Sequence, residues 1–113
     1  FACIAPGKTA ADMVAKAEAE LNRHPNAACN DFFAHGMGLI SHEAPYLMTN
    51  HPVAYEGTDA DTPFAPGMVL SVETTMLHPR RGFIKLEDTV AVTAQGYEMF
   101  GGANRGWTVS DRV

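Results

Sequence analysis

No run of apolar residues in this sequence approaches the ~20 that a membrane-spanning helix needs, and its first residues lack the charged-then-apolar pattern of a secretory leader. No membrane partner is expected, and a cytoplasmic setting is. Cysteine is scarce. Cys3 and Cys29 are too few and too far apart for a disulfide framework or a zinc ribbon, so both are read as reduced thiols. Positive charge is scarce as well, with 8 Lys+Arg against 13 Asp+Glu and no basic stripe, which argues against a nucleic-acid partner held by its phosphates. Internal repeats and low-complexity stretches are missing, and so is an initiator methionine. The chain opens at Phe1 within an apolar stretch, as a piece of a longer protein would. What is present is a globular balance, 46% apolar and 19% charged over 113 residues. That suits one domain with one core that needs no metal or disulfide to close it.

Ala5-Pro6-Gly7-Lys8 reads as a turn, after which Thr9 stands as an N-cap with Asp12 three residues on, a variant of the capping box. A helix is expected over 10–22, with Val14, Ala17 and Leu21 inward and Lys16, Glu18 and Glu20 outward, ended by Arg23-His24-Pro25-Asn26. Phe32 and Phe33 open a short strand that breaks at Gly36-Met37-Gly38, where glycines mark close backbone approach. A polar cluster follows at Ser41-His42-Glu43. Residues 50–66 read as a proline-rich surface loop with a short strand at 53–55. Strands are then expected over 68–76, 82–93 and 97–100, and 101–113 reads as a loose tail. The fold class is α+β, an antiparallel sheet with one helix packed on one face, and the domain assignment is a single partial domain over 1–113.

Alternation places Met68, Leu70 and Val72 on one face of their strand, with Val69, Ser71, Glu73 and Thr75 on the other, more polar one. On the next strand Phe83, Lys85, Glu87, Thr89 and Ala91 share the more polar face. A hairpin symmetric about Arg80 pairs residues whose numbers sum to 160, which sets Glu73 opposite Glu87. Opposed side chains have Cβ atoms ~5 Å apart, where two carboxylates repel by roughly 3 kcal/mol at an effective dielectric of ~20. A shared proton, an inserted Lys or Arg, or a bound cation offsets that, and Lys85 on the same face supplies a salt-bridge reading. His35, at the end of a strand beside Gly36, adds an imidazole. One imidazole with two carboxylates suits Mn²⁺, Fe²⁺, Co²⁺ or Zn²⁺. His42, seven residues on, does not have the spacing of a helical zinc pair and is read as a donor and acid/base group that either supports a metal ligand or faces substrate.

Four blocks carry a resemblance. Phe33-Ala34-His35-Gly36-Met37-Gly38, Ser41-His42-Glu43-Ala44-Pro45, Pro66-Gly67-Met68-Val69-Leu70-Ser71-Val72-Glu73 and Ile84-Lys85-Leu86-Glu87-Asp88-Thr89-Val90 resemble, in order and spacing, the pita-bread metallohydrolases. These are methionine aminopeptidase, Xaa-Pro aminopeptidase, prolidase and creatinase. The resemblance spans about 4–100 and implies the C-terminal part of the catalytic domain. It implies that His35, Glu73 and Glu87 are metal ligands, with Glu87 in the bridging place. It also implies that His42 contacts substrate and stabilises the tetrahedral intermediate, and that the general base falls at Glu73 or its neighbourhood. Catalytic roles are thus expected at His42 and Glu73, and the cofactors are two divalent metal ions in the complete enzyme.

The family's two upstream aspartates have no counterpart here, since Asp12 lies in the helix and Asp31 only four residues before His35. This chain alone is therefore expected to be a poor or inactive hydrolase, and possession of a metal by it alone is left open. Asp31 and Lys85 stand where many proline-cleaving members carry a histidine and an arginine. The function implied is hydrolysis of N-terminal peptide bonds by a dinuclear, dipeptidase-like or Xaa-Pro aminopeptidase-like enzyme. The alternatives on the same scaffold are a creatinase-type hydrolase, a dimethylsulfoniopropionate lyase-like enzyme, and a non-catalytic interaction module. A peptide or small-molecule substrate and a homo-oligomer are the expected partners. Phe32, Phe33, Phe83, Tyr97, Met99 and Phe100 are assigned to core or subunit packing, Trp107 to a subunit contact, and Arg80 and Arg81 to a solvated turn. His24, His51 and His78 are given no role.

Overall fold

The computed structural model describes residues 1–24, 32–48 and 59–102. The expected strand at 53–55, the tail beyond 102, and the readings of Pro25, Cys29, Asp31, His51 and Trp107 lie outside the described residues. Helix α1 runs Ala10–Leu21, and Thr9 and Asp12 close the reciprocal capping box foreseen for them. Asn22 is its C-cap, so the helix ends within a residue of the expected bound. Its covered face is the expected one, most deeply buried in the first turn. Ala10 and Met13 are buried and Val14, Ala17 and Leu21 half-covered, while Lys16, Glu18 and Glu20 are exposed.

Five antiparallel strands form one sheet in the order β2-β1-β3-β4-β5: β1 Phe32–Gly36, β2 Glu43–Met48, β3 Val69–His78, β4 Gly82–Thr93 and β5 Gly96–Phe100. The α+β layout is thus as expected, and β4 has the expected bounds. Strand β2 was not anticipated, since Pro45 and the polar residues before it hide a strand that exists by pairing along β1. The β3–β4 register runs from Val69↔Ala91 to His78↔Gly82 and places Glu73 opposite Glu87, as symmetry about Arg80 requires. The turn is closed by His78, whose Nδ1 accepts from the backbone N–H groups of Arg80 and Arg81 at 3.1 Å each. Gly82, with φ of 78°, takes the left-handed position there.

The core lies between α1 and one sheet face, built from Ile4, Ala10, Met13, Ala34, Leu47, Phe64, Leu70, Val90 and Val92. Phe64 corrects the surface reading of the proline-rich segment, because its ring is buried in this core. Backbone bonds from Phe64 N–H to the Lys8 carbonyl (2.7 Å) and from Gly7 N–H to the Phe64 carbonyl (3.1 Å) hold it there. Phe32 and Phe33 are buried as assigned, whereas Phe83, Tyr97 and Phe100 are exposed in this chain. Cys3 is a free thiol.

Candidate metal centre

The sheet face away from the core carries the polar row Ser71, Glu73 and Thr75. All three are buried, at 0%, 4% and 1% exposure, so the more polar face is not the solvated one. Strand β1 explains part of this. It pairs His35 with Ser71 and thereby sets the imidazole over the same row. A bulge between Phe32 and Ala34 interrupts the alternation of β1 and lets Phe32 join His35 on that side, ring centroids 5.1 Å apart.

The loop after β1 folds back and lays His42 on His35, with centroids 4.3 Å apart. Phe32 stacks on His42 at 5.4 Å and on Tyr46 at 6.2 Å, and the Tyr46 hydroxyl donates to the His42 carbonyl at 3.1 Å. Glu43 accepts from the Ile40 N–H at 2.9 Å and thereby closes this loop. Gly36 permits it, since a Cβ there would overlap the Ala44 carbonyl. The expected close backbone approach is thereby located.

The donor atoms converge. His35, His42 and Glu73 each offer one ligand atom within 4.8 Å of the others. His35 Nδ1 sits 2.9 Å from the Gly36 carbonyl, so in the neutral ring Nδ1–H donates there and the Nε2 lone pair faces Glu73 Oε1 at 3.8 Å. Both oxygens of Glu73 are buried; Oε1 has no hydrogen-bond partner among the described residues, and Oε2 meets the Lys85 ammonium. An imidazole lone pair facing a buried carboxylate is acceptor against acceptor, and either a proton on Nε2 or a cation between the two removes the conflict. The Lys85 ammonium contacts Glu73 Oε2 and reaches Glu87 Oε2 at 3.9 Å, so the salt-bridge reading of the pair is realised. The Glu87 side chain is 44% exposed, and its Oε1 accepts from the Ser71 hydroxyl at 2.6 Å. These residues fit a divalent cation. Of the expected ligands, His35 and Glu73 face each other, and Glu87 joins them through Lys85. His42, expected to face substrate, lies within ligand distance of both.

The sequence pattern of metallopeptidase family M24 matches residues 1–94. The chain belongs to this family. It is 33% identical over 100 residues to the probable dipeptidase PepE of Mycobacterium bovis, covering 85% of the chain and 24% of that protein. Dipeptidase PepE from Mycobacterium ulcerans superposes with a TM-score of 0.65 at 31% identity, covering 85% of the chain and 24% of that structure. Prolidase from Pyrococcus furiosus gives 0.66 at 27% identity, covering 87% and 27%. The chain thus spans about a quarter of the length of the curated relatives it matches. The pita-bread fold expected from the four blocks is the fold of these neighbours. Among the described residues no helix is long and apolar enough to cross a membrane.

Sequence reasoning missed the groups that orient the candidate ligands. Ser71 stood on the same face as Glu73, which is the signal that could have named it as a donor. Phe32 and Tyr46 gave none, because a bulge and an unanticipated strand bring them in.

Proposed function

We propose that this chain carries part of the active site of a metal-dependent peptidase that hydrolyses N-terminal peptide bonds of dipeptides or short peptides. His35, Glu73 and Glu87 are its metal ligands. The single observation that supports this best is the convergence of ligand atoms from His35, His42 and the buried Glu73 within 4.8 Å of one another. The complete site holds two divalent ions, of Mn, Co, Fe or Zn, and needs donors beyond these three, which a protein of the relatives' length supplies. Divalent ions there polarise a scissile carbonyl and make a water nucleophilic near neutral pH.

The chain's own residues do the rest. The Gly36 carbonyl fixes the His35 tautomer so that Nε2 points inward, and the Ser71 hydroxyl fixes the rotation of Glu87. His42, held between Phe32 and the Ser41 hydroxyl (3.2 Å from Nδ1), donates to the carbonyl oxygen of the substrate as negative charge develops on it. Glu73, or a neighbouring carboxylate, takes the proton of the attacking water. The free thiol of Cys3 supports a reducing, cytoplasmic setting, and exposed Leu77, Phe83 and Leu86 support self-association.

The test is titration of the full-length protein with Mn²⁺, Co²⁺, Fe²⁺ and Zn²⁺, followed by a panel of dipeptides with and without proline in second place. Metal-dependent release of the N-terminal residue is expected, with metal and activity both lost in His35→Ala. Less than one ion per chain, unchanged by His35→Ala, sinks the reading. Turnover of an amidine or a sulfonium compound in place of peptides reassigns the reaction.

A further inference from the structure

Lys85 belongs to the next cross-strand pair on the same face as Glu73–Glu87, and its ammonium touches the first carboxylate and reaches the second at 3.9 Å. Its side chain is 37% exposed, whereas that of Glu73 is fully buried. The cation thus enters from the solvent side and covers a carboxylate that water does not reach. A divalent ion shared by Glu73 and Glu87 must approach their oxygens to ~2.0–2.6 Å, and the ammonium lies against one of these oxygens, Glu73 Oε2. Placing a second, larger charge beside the ammonium is unfavourable in so dry a place.

We propose that Lys85 is a built-in counter-ion that latches the carboxylate pair in the metal-free protein and is displaced outward when a divalent ion binds, so that this residue sets the metal affinity of the site. This rests on the metal-centre reading above. The latch has a structural benefit, since it holds two opposed carboxylates together before any metal arrives. It also weakens metal binding in proportion to how fully the latched state is populated. A latched population of ~90% lowers the apparent affinity about tenfold, because only the open fraction is competent. Its partial exposure gives the side chain a path out without disturbing the sheet.

The experiment uses the full-length protein, in which Lys8 and Lys16 serve as internal references for Lys85. Their reductive methylation rates are followed by mass spectrometry while Mn²⁺ is titrated. Mn²⁺ is expected to speed modification of Lys85 several-fold and leave Lys8 and Lys16 unchanged. In parallel, Mn²⁺ is expected to bind Lys85→Met about tenfold more tightly than the wild type and Lys85→Arg about as the wild type. Metal-free Lys85→Met should melt lower and be restored by Mn²⁺. A residue that only stabilises the fold would shift the melting temperature and leave the labelling and the affinity alone. If Mn²⁺ binds the wild type and either the Lys85 labelling rate or the Lys85→Met affinity does not move, the latch is wrong. If Lys85→Met does not fold, the wild-type labelling decides. If Mn²⁺ binds neither the wild type nor the variant, the metal-centre reading fails and takes the latch with it.

Discussion

Gly36→Ala tests how closely β2 must approach β1 beside the candidate site. The added methyl would overlap the Ala44 carbonyl oxygen and lie 2.8 Å from the Ala44 carbonyl carbon and 2.9 Å from the Glu43 carbonyl oxygen. Ordinary contacts between carbon atoms sit at about 3.5–4.0 Å, and all three neighbours here are backbone atoms of a paired strand that cannot swing aside. Forcing such a group in costs about 3 kcal/mol, the upper end of overpacking. Alanine returns ~0.4–1 kcal/mol by restricting the unfolded chain, leaving a net loss of about 2 kcal/mol. For a chain near this size that lowers the melting temperature by roughly 8–16 °C. His35 Nδ1 bonds the carbonyl of this same residue, so the shift should also weaken Mn²⁺ binding. Gly102→Ala, where nothing lies within 4 Å of the new methyl, is the control and should melt like the wild type. Thermal melts by circular dichroism and Mn²⁺ titrations of the three proteins give the answer. A Gly36→Ala protein that melts within about 2 °C of the wild type and binds Mn²⁺ equally would refute the close-approach reasoning.

Three further outcomes are expected. Leu70→Ala, at a fully buried core position, should cost about 2–5 kcal/mol in denaturant unfolding, while a loss below ~1 kcal/mol would mean that the core is not packed as described. Ser71→Ala removes the 2.6 Å bond to Glu87 and should weaken Mn²⁺ binding about tenfold, with a stability cost under ~1 kcal/mol because Glu87 is half-exposed; unchanged affinity would remove Ser71 from the site. The Asp12 carboxyl is held below the ordinary carboxylate range, chiefly by the Thr9 backbone N–H and also by nearby Lys8 and the Thr9 hydroxyl. A lowered folded-state pKa means that ionised Asp12 favours the fold. Its contribution is complete above the ordinary carboxylate range and is lost as pH falls through the lowered value. Asp12→Asn should flatten that part of the stability-against-pH curve, and an unchanged acid limb would exclude the cap as its source.

The local elements were legible in the sequence wherever local rules decide them. Thr9 and Asp12 fixed the start of the helix because capping is a matter of three residues, and β3 and β4 followed from alternation closed by a tight turn. Symmetry about Arg80 then put Glu73 opposite Glu87 from arithmetic alone. What lay beyond reach depends on pairing between distant segments. Strand β2 exists because β1 offers it partners, in spite of Pro45, and a bulge in β1 breaks the alternation that would otherwise aim Phe32. The burial of Ser71, Glu73 and Thr75 was also hidden, because a strand's own pattern separates two faces and leaves open which of them is covered. Tertiary structure alone decided that His35 and His42 meet over that row and that Lys85 reaches in from solvent. Sequence separation says nothing of such meetings, since they are set by which backbones can approach closely enough to hydrogen-bond.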